Sequence, residues 1–422
     1  MEKKPETLLK QIFGYDEFRP LQKEIIDRTL AGNDSMVLMP TGGGKSICFQ
    51  IPALIFDGIT IVVSPLISLM KDQVQALRTN GIKADYCNSS ISAEEEYKVI
   101  SRAINGEIQL LYLSPEKLIS VSDTWLKRVN IKFVAIDEAH CVSMWGHDFR
   151  PEYTQLKHFR NSLPEVPFMA LTATADKSAR ADIEEQLGLI DSKLFISSFD
   201  RKNLSIEVRG QVPKKQKLEE IGRFVARKNN ESGIIYCLSR KSTEEVACYL
   251  KAKGHSVSFY HAGLDAVDRE RVQNAFINDN TRIIVATIAF GMGIDKSNVR
   301  WIIHYNLPKN LEGYYQEIGW AGRDGLPSET RMYYNMRDFV LYSQFADGGA
   351  NAEMQKEKLN RMLQFAEAKS CRRKILLSYF GEHLTDDCGN CDVCDNPPKY
   401  FDGTVLAQKA LSGIVRMKEK VG

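Results

Sequence analysis

"SMVLMPTGGGKSICFQIPAL", residues 35–54, runs from a short apolar segment through a glycine loop into a helix-forming stretch. Glycines let a backbone wrap a phosphate, and successive N–H groups at a helix N-terminus supply positive potential. Thr41, Gly42, Gly43, Gly44, Lys45 and Ser46 follow in that order, with Lys45 placed to reach the terminal phosphates and Ser46 to hold magnesium. A glycine-rich loop alone is weak, because many turns look like it. The strand before it, the helix after it and the Lys-Ser pair together point to a nucleoside triphosphate site.

Outward from this stretch the same alternation repeats. Short apolar, β-branched runs at 35–40, 60–66, 108–116, 132–140 and 167–175 are separated by segments with helical spacing. Nearly continuous apolar strands alternating with helices imply a parallel sheet covered on both faces. After a basic, proline-containing join around residues 205–217 the pattern restarts at 232–239, 256–263, 281–293 and 299–308. Beyond about residue 340 a helical pair leads into a cysteine-rich loop. The expected domains are residues 1–205 and 206–340, both α/β, then a helical module over 341–400 and the start of another domain over 401–422.

Composition narrows the class. A chain of 422 residues exceeds one compact core, and its 43% hydrophobic and 26% charged content is that of a globular protein. No apolar run is long enough to span a bilayer, and the N-terminus lacks a secretory pattern, so a cytoplasmic location is expected. The formal charge of +2 means that any basic track for nucleic acid must be local. Cys48, Cys87, Cys141, Cys237 and Cys248 stand alone in or beside apolar segments and read as buried free thiols.

"VAIDEAH" (134–140) places an acidic pair at the end of a buried strand, where open α/β sheets bind ligands. Asp137 can share the magnesium shell, and Glu138 can orient or deprotonate an attacking water. "QEIGWAGRDG" (316–325) is a glycine-punctuated turn carrying Arg323. By itself it is either a plain connector or a place where a phosphate is gripped.

Taken together, "MPTGGGKS", "DEAH", "ALTATA" (170–175) and this last loop resemble the ordered motifs of superfamily 2 helicases. "FGYDEFRPLQ" (13–22), "VVSPLISLMKDQV" (62–74), "DEAHCVSMWGHDFRPEY" (137–153) and "VATIAFGMGIDKSNVR" (285–300) narrow the resemblance to the RecQ family of DNA helicases, from about residue 6 to about residue 403. The resemblance implies two RecA-like parallel-sheet domains in tandem, a helical zinc-binding module and the start of a winged helix. It implies an ATP-dependent 3′-to-5′ DNA helicase of repair and recombination, associated with the nucleoid in a bacterium. Its partners would be single-stranded DNA and 3′-tailed or branched duplexes, and it would act as a monomer without a membrane.

The resemblance also assigns residues. Tyr15 would stack on adenine, with Arg19 and Gln22 making polar contacts; a ring plus an amide that both donates and accepts suits a purine. Lys45, Asp137, Glu138, His140, Gln316 and Arg323 form the implied catalytic set, with Gly293 and Asp295 closing on the nucleotide. Trp145, Phe149 and Arg150 lie in an aromatic loop that would touch single-stranded DNA, stacking on bases without sequence preference. Ser239, Arg240, His261 and Thr287 are the candidate DNA-backbone contacts. The family form of the 316–325 loop carries two arginines. Arg323 remains as the candidate arginine finger, whereas Trp320 replaces the other, offers a single N–H donor, and by its bulk would hold the cleft ajar.

Cys371, Cys388, Cys391 and Cys394 suit tetrahedral zinc, with a redox dithiol and an iron–sulfur cluster as the alternatives. The zinc module of the RecQ family favours zinc in a structural role, stapling the helical pair and presenting Lys and Arg to DNA. Its removal is expected to destabilise the module more than it alters hydrolysis.

Overall fold

The computed structural model describes residues 4–143, 150–228, 230–291, 296–347, 351–399 and 402–416. Seven parallel strands form the first sheet: β1 (Ser35–Leu38), β2 (Ile59–Val63), β3 (Ala84–Cys87), β4 (Leu110–Leu113), β5 (Ile131–Ile136), β6 (Phe168–Thr172) and β7 (Lys193–Ile196), in the order β3-β4-β2-β5-β6-β1-β7. β1, β2, β4 and β6 are buried along their whole length, as runs such as "ITIVV" require when helices cover both faces. This order sets β1 and β5 on either side of β6, so the glycine loop and the acidic pair emerge at the same carboxyl edge.

The second sheet, also parallel, comprises β8 (Leu204–Gly210), β9 (Ser232–Tyr236), β10 (Val257–Tyr260), β11 (Ile283–Ala286), β12 (Val299–His304) and β13 (Ser328–Tyr334), in the order β10-β11-β9-β12-β13-β8. Both sheets are RecA-like, as expected. Four strands went unread in the sequence. β3 and β7 are four-residue edge strands, and β8 and β13 alternate or mix polar with apolar residues. The stretch around 205–217 expected to be a join therefore opens inside a strand: its basic composition hides the alternation of Leu204, Ile206 and Val208.

Beyond β13, helices span Met336–Ala346, Ala352–Glu367 and Arg372–Tyr379, and a further helix spans Thr404–Arg416. A winged helix is not established by that last element alone. Among the described residues no helix is long and apolar enough to cross a membrane. Four of the five solitary cysteines are buried, but Cys248 is exposed.

Asp34, on the turn entering β1, shows how the first domain is pinned. Only 3% exposed, it accepts the N–H groups of Phe168 (2.8 Å) and Ile190 (2.7 Å) and pairs with buried Arg160 at 3.1 Å. Truncating one member of such a pair strands the other, at about 3 kcal/mol or more. Asp34→Ala should lower the midpoint of thermal unfolding by about 6 °C or more, and an unchanged melting curve would contradict this account.

Candidate nucleotide site and cysteine module

The phosphate loop takes its shape from positive-φ glycines. Gly42 (φ 79°) and Gly44 (φ 86°) lie in the left-handed region, and Gly44 caps the helix Lys45–Ile55. A Cβ on Gly44 would fall 2.4 Å from the Gln22 amide nitrogen. Gln22 Nε2 donates to the Gly44 carbonyl at 3.0 Å, Gln22 Oε1 accepts from the Arg19 N–H at 2.9 Å, and the Arg19 guanidinium donates to the Gly42 carbonyl. One end of the Gln22 amide thus holds the loop while the other is fixed to the segment that precedes it. Tyr15 presents an exposed ring. Half-buried Lys45 donates to the Met39 carbonyl at 3.0 Å. Burial lowers its pKa, and Glu138 and Asp137 offset part of that.

Asp137 is buried, and burial followed by the charge of Glu138 pushes its carboxyl up to about 7. Glu138 holds a left-handed backbone (φ 49°) at the end of β5, the kind of strain that surrounding structure must maintain. Burial raises its pKa, but the hydrogen bond and charge of His140, then Lys45 and Arg323, more than reverse this. His140 Nδ1 lies 3.3 Å from Glu138 and 3.0 Å from Thr172 Oγ1. The acidic strand is thereby tied to the end of β6. Ser46 and Asp137 offer the hard oxygen donors that magnesium prefers.

Arg323 reaches this site from the second domain. Its side chain lies against Gly42, whose Cβ position would be 3.4 Å from the Arg323 Cγ, and its charge is felt by both Lys45 and Glu138. Gln316, on the helix Leu311–Ile318, is buried and lines a cavity of about 520 Å³ together with Tyr236, His304 and Glu317 of the second domain and Arg150 of the first.

Trp320 overturns one expectation. Its ring does not wedge the cleft but sits in the core of the second domain, 5.7 Å from Tyr236 and laid directly over Gly291, where any Cβ would clash at 1.8 Å. An indole is too apolar to stay in a charged seam when a glycine leaves room in the core.

Of the residues assigned to DNA, Trp145 and Phe149 lie outside the described residues, as do Gly293 and Asp295 of the nucleotide set. Arg150 donates to the Pro65 carbonyl at 3.1 Å. Tyr153, from the same aromatic stretch, is fully buried. Ser239 caps the helix Arg240–Ala252 by accepting from the Ser242 N–H. His261 is buried, with Nε2 3.0 Å from Glu244 and Nδ1 accepting from Gly263 N–H, and Arg240 lies alongside. Thr287 is half-buried just beyond β11.

The four clustered cysteines converge so that their sulfurs lie within 4.8 Å of one another. Zinc–thiolate bonds of about 2.3 Å place tetrahedral sulfurs about 3.8 Å apart, and the Cys388–Cys394 and Cys391–Cys394 separations are 3.9 and 3.4 Å. Burial first, then neighbouring thiols, raises Cys388 to about 11 and Cys394 to about 12, whereas at Cys371 hydrogen bonds from the Lys374 and Cys388 backbone more than reverse the effect of burial. The residues fit zinc. The neighbouring arginines do not face outward as expected. Arg372 is buried in a two-armed pair with Asp392 (3.0 and 3.1 Å), and Arg373 is buried against Asp200 at 2.7 Å. Lys358 is likewise buried, paired with Glu312 and 3.9 Å from Asp176.

Comparison with known proteins agrees with this geometry. Family models match for the DEAD/DEAH box helicase over residues 19–182, the helicase conserved C-terminal domain over 214–325 and RecQ zinc-binding over 336–395. The ATP-dependent DNA helicase RecQ of Haemophilus influenzae is 48% identical across 99% of this chain and 67% of that protein, and the one from Bacillus subtilis 42% identical across 99% and 71%. The chain belongs to the RecQ family of ATP-dependent DNA helicases.

The RecQ protein of Pasteurella multocida is 50% identical over 98% of this chain and 66% of its own length, so the chain spans about two thirds of such relatives. Among solved structures, the helicase MrfA bound to DNA superposes with a TM-score of 0.67 at 18% identity, covering 92% of this chain and 59% of that one. Yeast Dbp5 bound to RNA and ADP BeF3 does so at 0.65 and 16%, covering 84% and 97%. These two show a shared fold. The RecQ motifs named in the sequence omit Arg201, Asp200, Glu312 and Lys358, which hold the parts of the molecule together through partners far away in the chain. Metal analysis of the purified RecQ chain should find about one zinc per molecule, and Cys371→Ser should abolish it and lower the unfolding midpoint. Full zinc retention by that variant would refute the four-cysteine site.

Proposed function

We propose that this chain is the motor of a DNA-stimulated ATPase that moves 3′-to-5′ along single-stranded DNA and opens duplexes, serving repair and recombination in the bacterial cytoplasm, at the nucleoid. The observation that carries this reading is Arg323, set across the seam against Gly42 and electrostatically coupled to Lys45 and Glu138. ATP would lie with its adenine on Tyr15, Arg19 and Gln22 and its phosphates in the loop from Thr41 to Ser46, with Gly293 and Asp295 approaching from the second domain. Ser46 and Asp137 would hold magnesium, which supplies charge neutralisation on the phosphates when bound.

In the hydrolytic step Glu138, kept ionised beside His140, orients the attacking water and takes its proton. Lys45 and Arg323 meet the charge that develops on the transferred phosphoryl group. Gln316 would link the seam to the second domain. Single-stranded DNA would run over both domains, on Trp145, Phe149 and Arg150 of the first and Ser239, Arg240, His261 and Thr287 of the second. The preferred substrates are 3′-tailed and branched duplexes, and the active form is a monomer.

ATP turnover should rise at least tenfold with single-stranded DNA, and Arg323→Ala should cut the stimulated rate about a thousandfold while retaining nucleotide binding. A 3′-tailed duplex should be unwound and a 5′-tailed one left intact. Turnover indifferent to DNA would sink the reading.

The buried indole of Trp320 favours a second reading, a nucleotide-gated DNA clamp with slow turnover. Only one guanidinium of the loop then serves the phosphates. Trp320→Arg should raise the DNA-stimulated turnover number severalfold while lowering thermal stability, since the core over Gly291 loses its ring. Equal turnover in the two proteins would remove this alternative.

A further inference from the structure

Residues 198–204, which join the two sheets, are gripped by the cysteine module. Glu382 accepts from Ser198 Oγ (2.6 Å) and the Phe199 N–H (2.7 Å). Arg373 pairs with Asp200 and donates to the Leu204 carbonyl, while Asn390 donates to the Lys202 and Leu204 carbonyls at 3.2 Å each. Arg201 lies midway along this held segment, and its guanidinium reaches instead into the seam. One nitrogen donates to the Thr41 carbonyl of the phosphate loop (2.9 Å) and to the Gly319 carbonyl (3.1 Å). The other donates to the Ala321 and Gly322 carbonyls at 2.9 Å each.

Thr41 directly precedes Gly42, and Gly322 directly precedes Arg323. One planar group therefore spans the two backbone segments whose separation places Arg323 against the phosphate loop. Asn203 reinforces one side by donating to the Gly322 and Leu326 carbonyls at 3.0 and 2.9 Å. The seam is so close here that a Cβ on Gly319 would lie 3.4 Å from Thr41 Cβ.

We propose that Arg201 is a positioning residue for ATP turnover. It fixes the spacing between the phosphate loop and Arg323, and the cysteine module sets Arg201 through its hold on residues 198–204. A fork of two nitrogens with four carbonyl acceptors does this, whereas a single ammonium cannot reach both segments in the same way. This inference rests on the ATPase reading above.

The test compares Arg201→Ala, Arg201→Lys, Arg323→Ala, the Arg201→Ala/Arg323→Ala double variant and Glu382→Gln in the full chain. The readouts are single-strand-stimulated kcat, affinity for a fluorescent ATP analogue, and amide hydrogen exchange. Misplacing a catalytic group by about 1 Å costs about a hundredfold, so Arg201→Ala should lose about 30- to 100-fold in kcat. Its affinity for the analogue should stay within about threefold, because the loss falls on the transition state. Arg201→Lys should recover only a small part, and Glu382→Gln should show a milder form of the same loss.

Because Arg201 acts through Arg323, the double variant should be no slower than Arg323→Ala alone. Exchange should quicken in residues 39–46 and 316–326 but not in the central strands of either sheet. Turnover of Arg201→Ala close to that of the parent, losses that multiply in the double variant, or unchanged exchange in those two segments would each overturn the proposal. A parent without DNA-stimulated turnover would defeat the ATPase reading, and the exchange pattern would still decide whether Arg201 spaces the seam. Should Arg201→Ala not fold, Arg201→Lys and Glu382→Gln are judged by the same measurements.

Discussion

Three aromatic rings, one from each part of the chain, meet where the two sheets join. Phe199 of the connecting segment stacks on Phe380 of the cysteine module at 4.8 Å and 13°, and Tyr315 of the second domain packs on both, at 5.7 and 4.9 Å. The Tyr315 hydroxyl donates to the Phe199 carbonyl at 2.7 Å. Each such ring pair contributes about 0.5–1.5 kcal/mol beyond its area. The larger consequence is geometric. The trio fixes the connecting segment where it enters the seam, and Arg201 leaves that segment two residues later. All three rings are buried, so the polar groups of the seam are set from an apolar anchor.

Charges buried around that anchor are paired rather than free, as the cost of desolvation requires. Lys358 with Glu312, Arg373 with Asp200 and Arg372 with Asp392 each hold the cysteine module internally or against a neighbouring element. Replacing any one by a well-packed apolar pair would not weaken the fold by much. What the ionic versions supply is registry, since charge-assisted hydrogen bonds of an arginine or lysine to a carboxylate fix the relative placement of the two groups. The proposed ATPase, whose cleft must close reproducibly, has use for registry beyond bare stability.

The sequence disclosed the parts of the molecule whose physics is local. The glycine loop, the acidic pair and the apolar central strands declare themselves within a few residues, because φ, hydrogen-bond donors and strand burial are set there. β8 and β13 did not, since their pattern is diluted by Arg, Glu and Tyr, which β8 tolerates at the sheet edge and β13 beside it. Arg372 and Arg373 looked like a basic patch for DNA because adjacent arginines carry no sign of distant carboxylates. Arg201 was silent for the same reason: its four acceptors are main-chain carbonyls, which no side-chain pattern records.

That silence bears on the tryptophan in the glycine loop. If residue 320 set the shape of the loop through its own side chain, exchanging an arginine for an indole would displace Arg323 as well. Instead the loop is held by its backbone, through the Gly319, Ala321 and Gly322 carbonyls on Arg201 and the Gly322 N–H on Val299 at 2.8 Å. The side chain at 320 is then free to turn inward, and the flat face over Gly291 gives the indole somewhere to go. Against the two-arginine loop that the resemblance implies, Trp320 would withhold one cationic group from the seam, while Arg323 keeps its place against Gly42. A loop fixed by its main chain can exchange one of its side chains and still deliver the other to the same place.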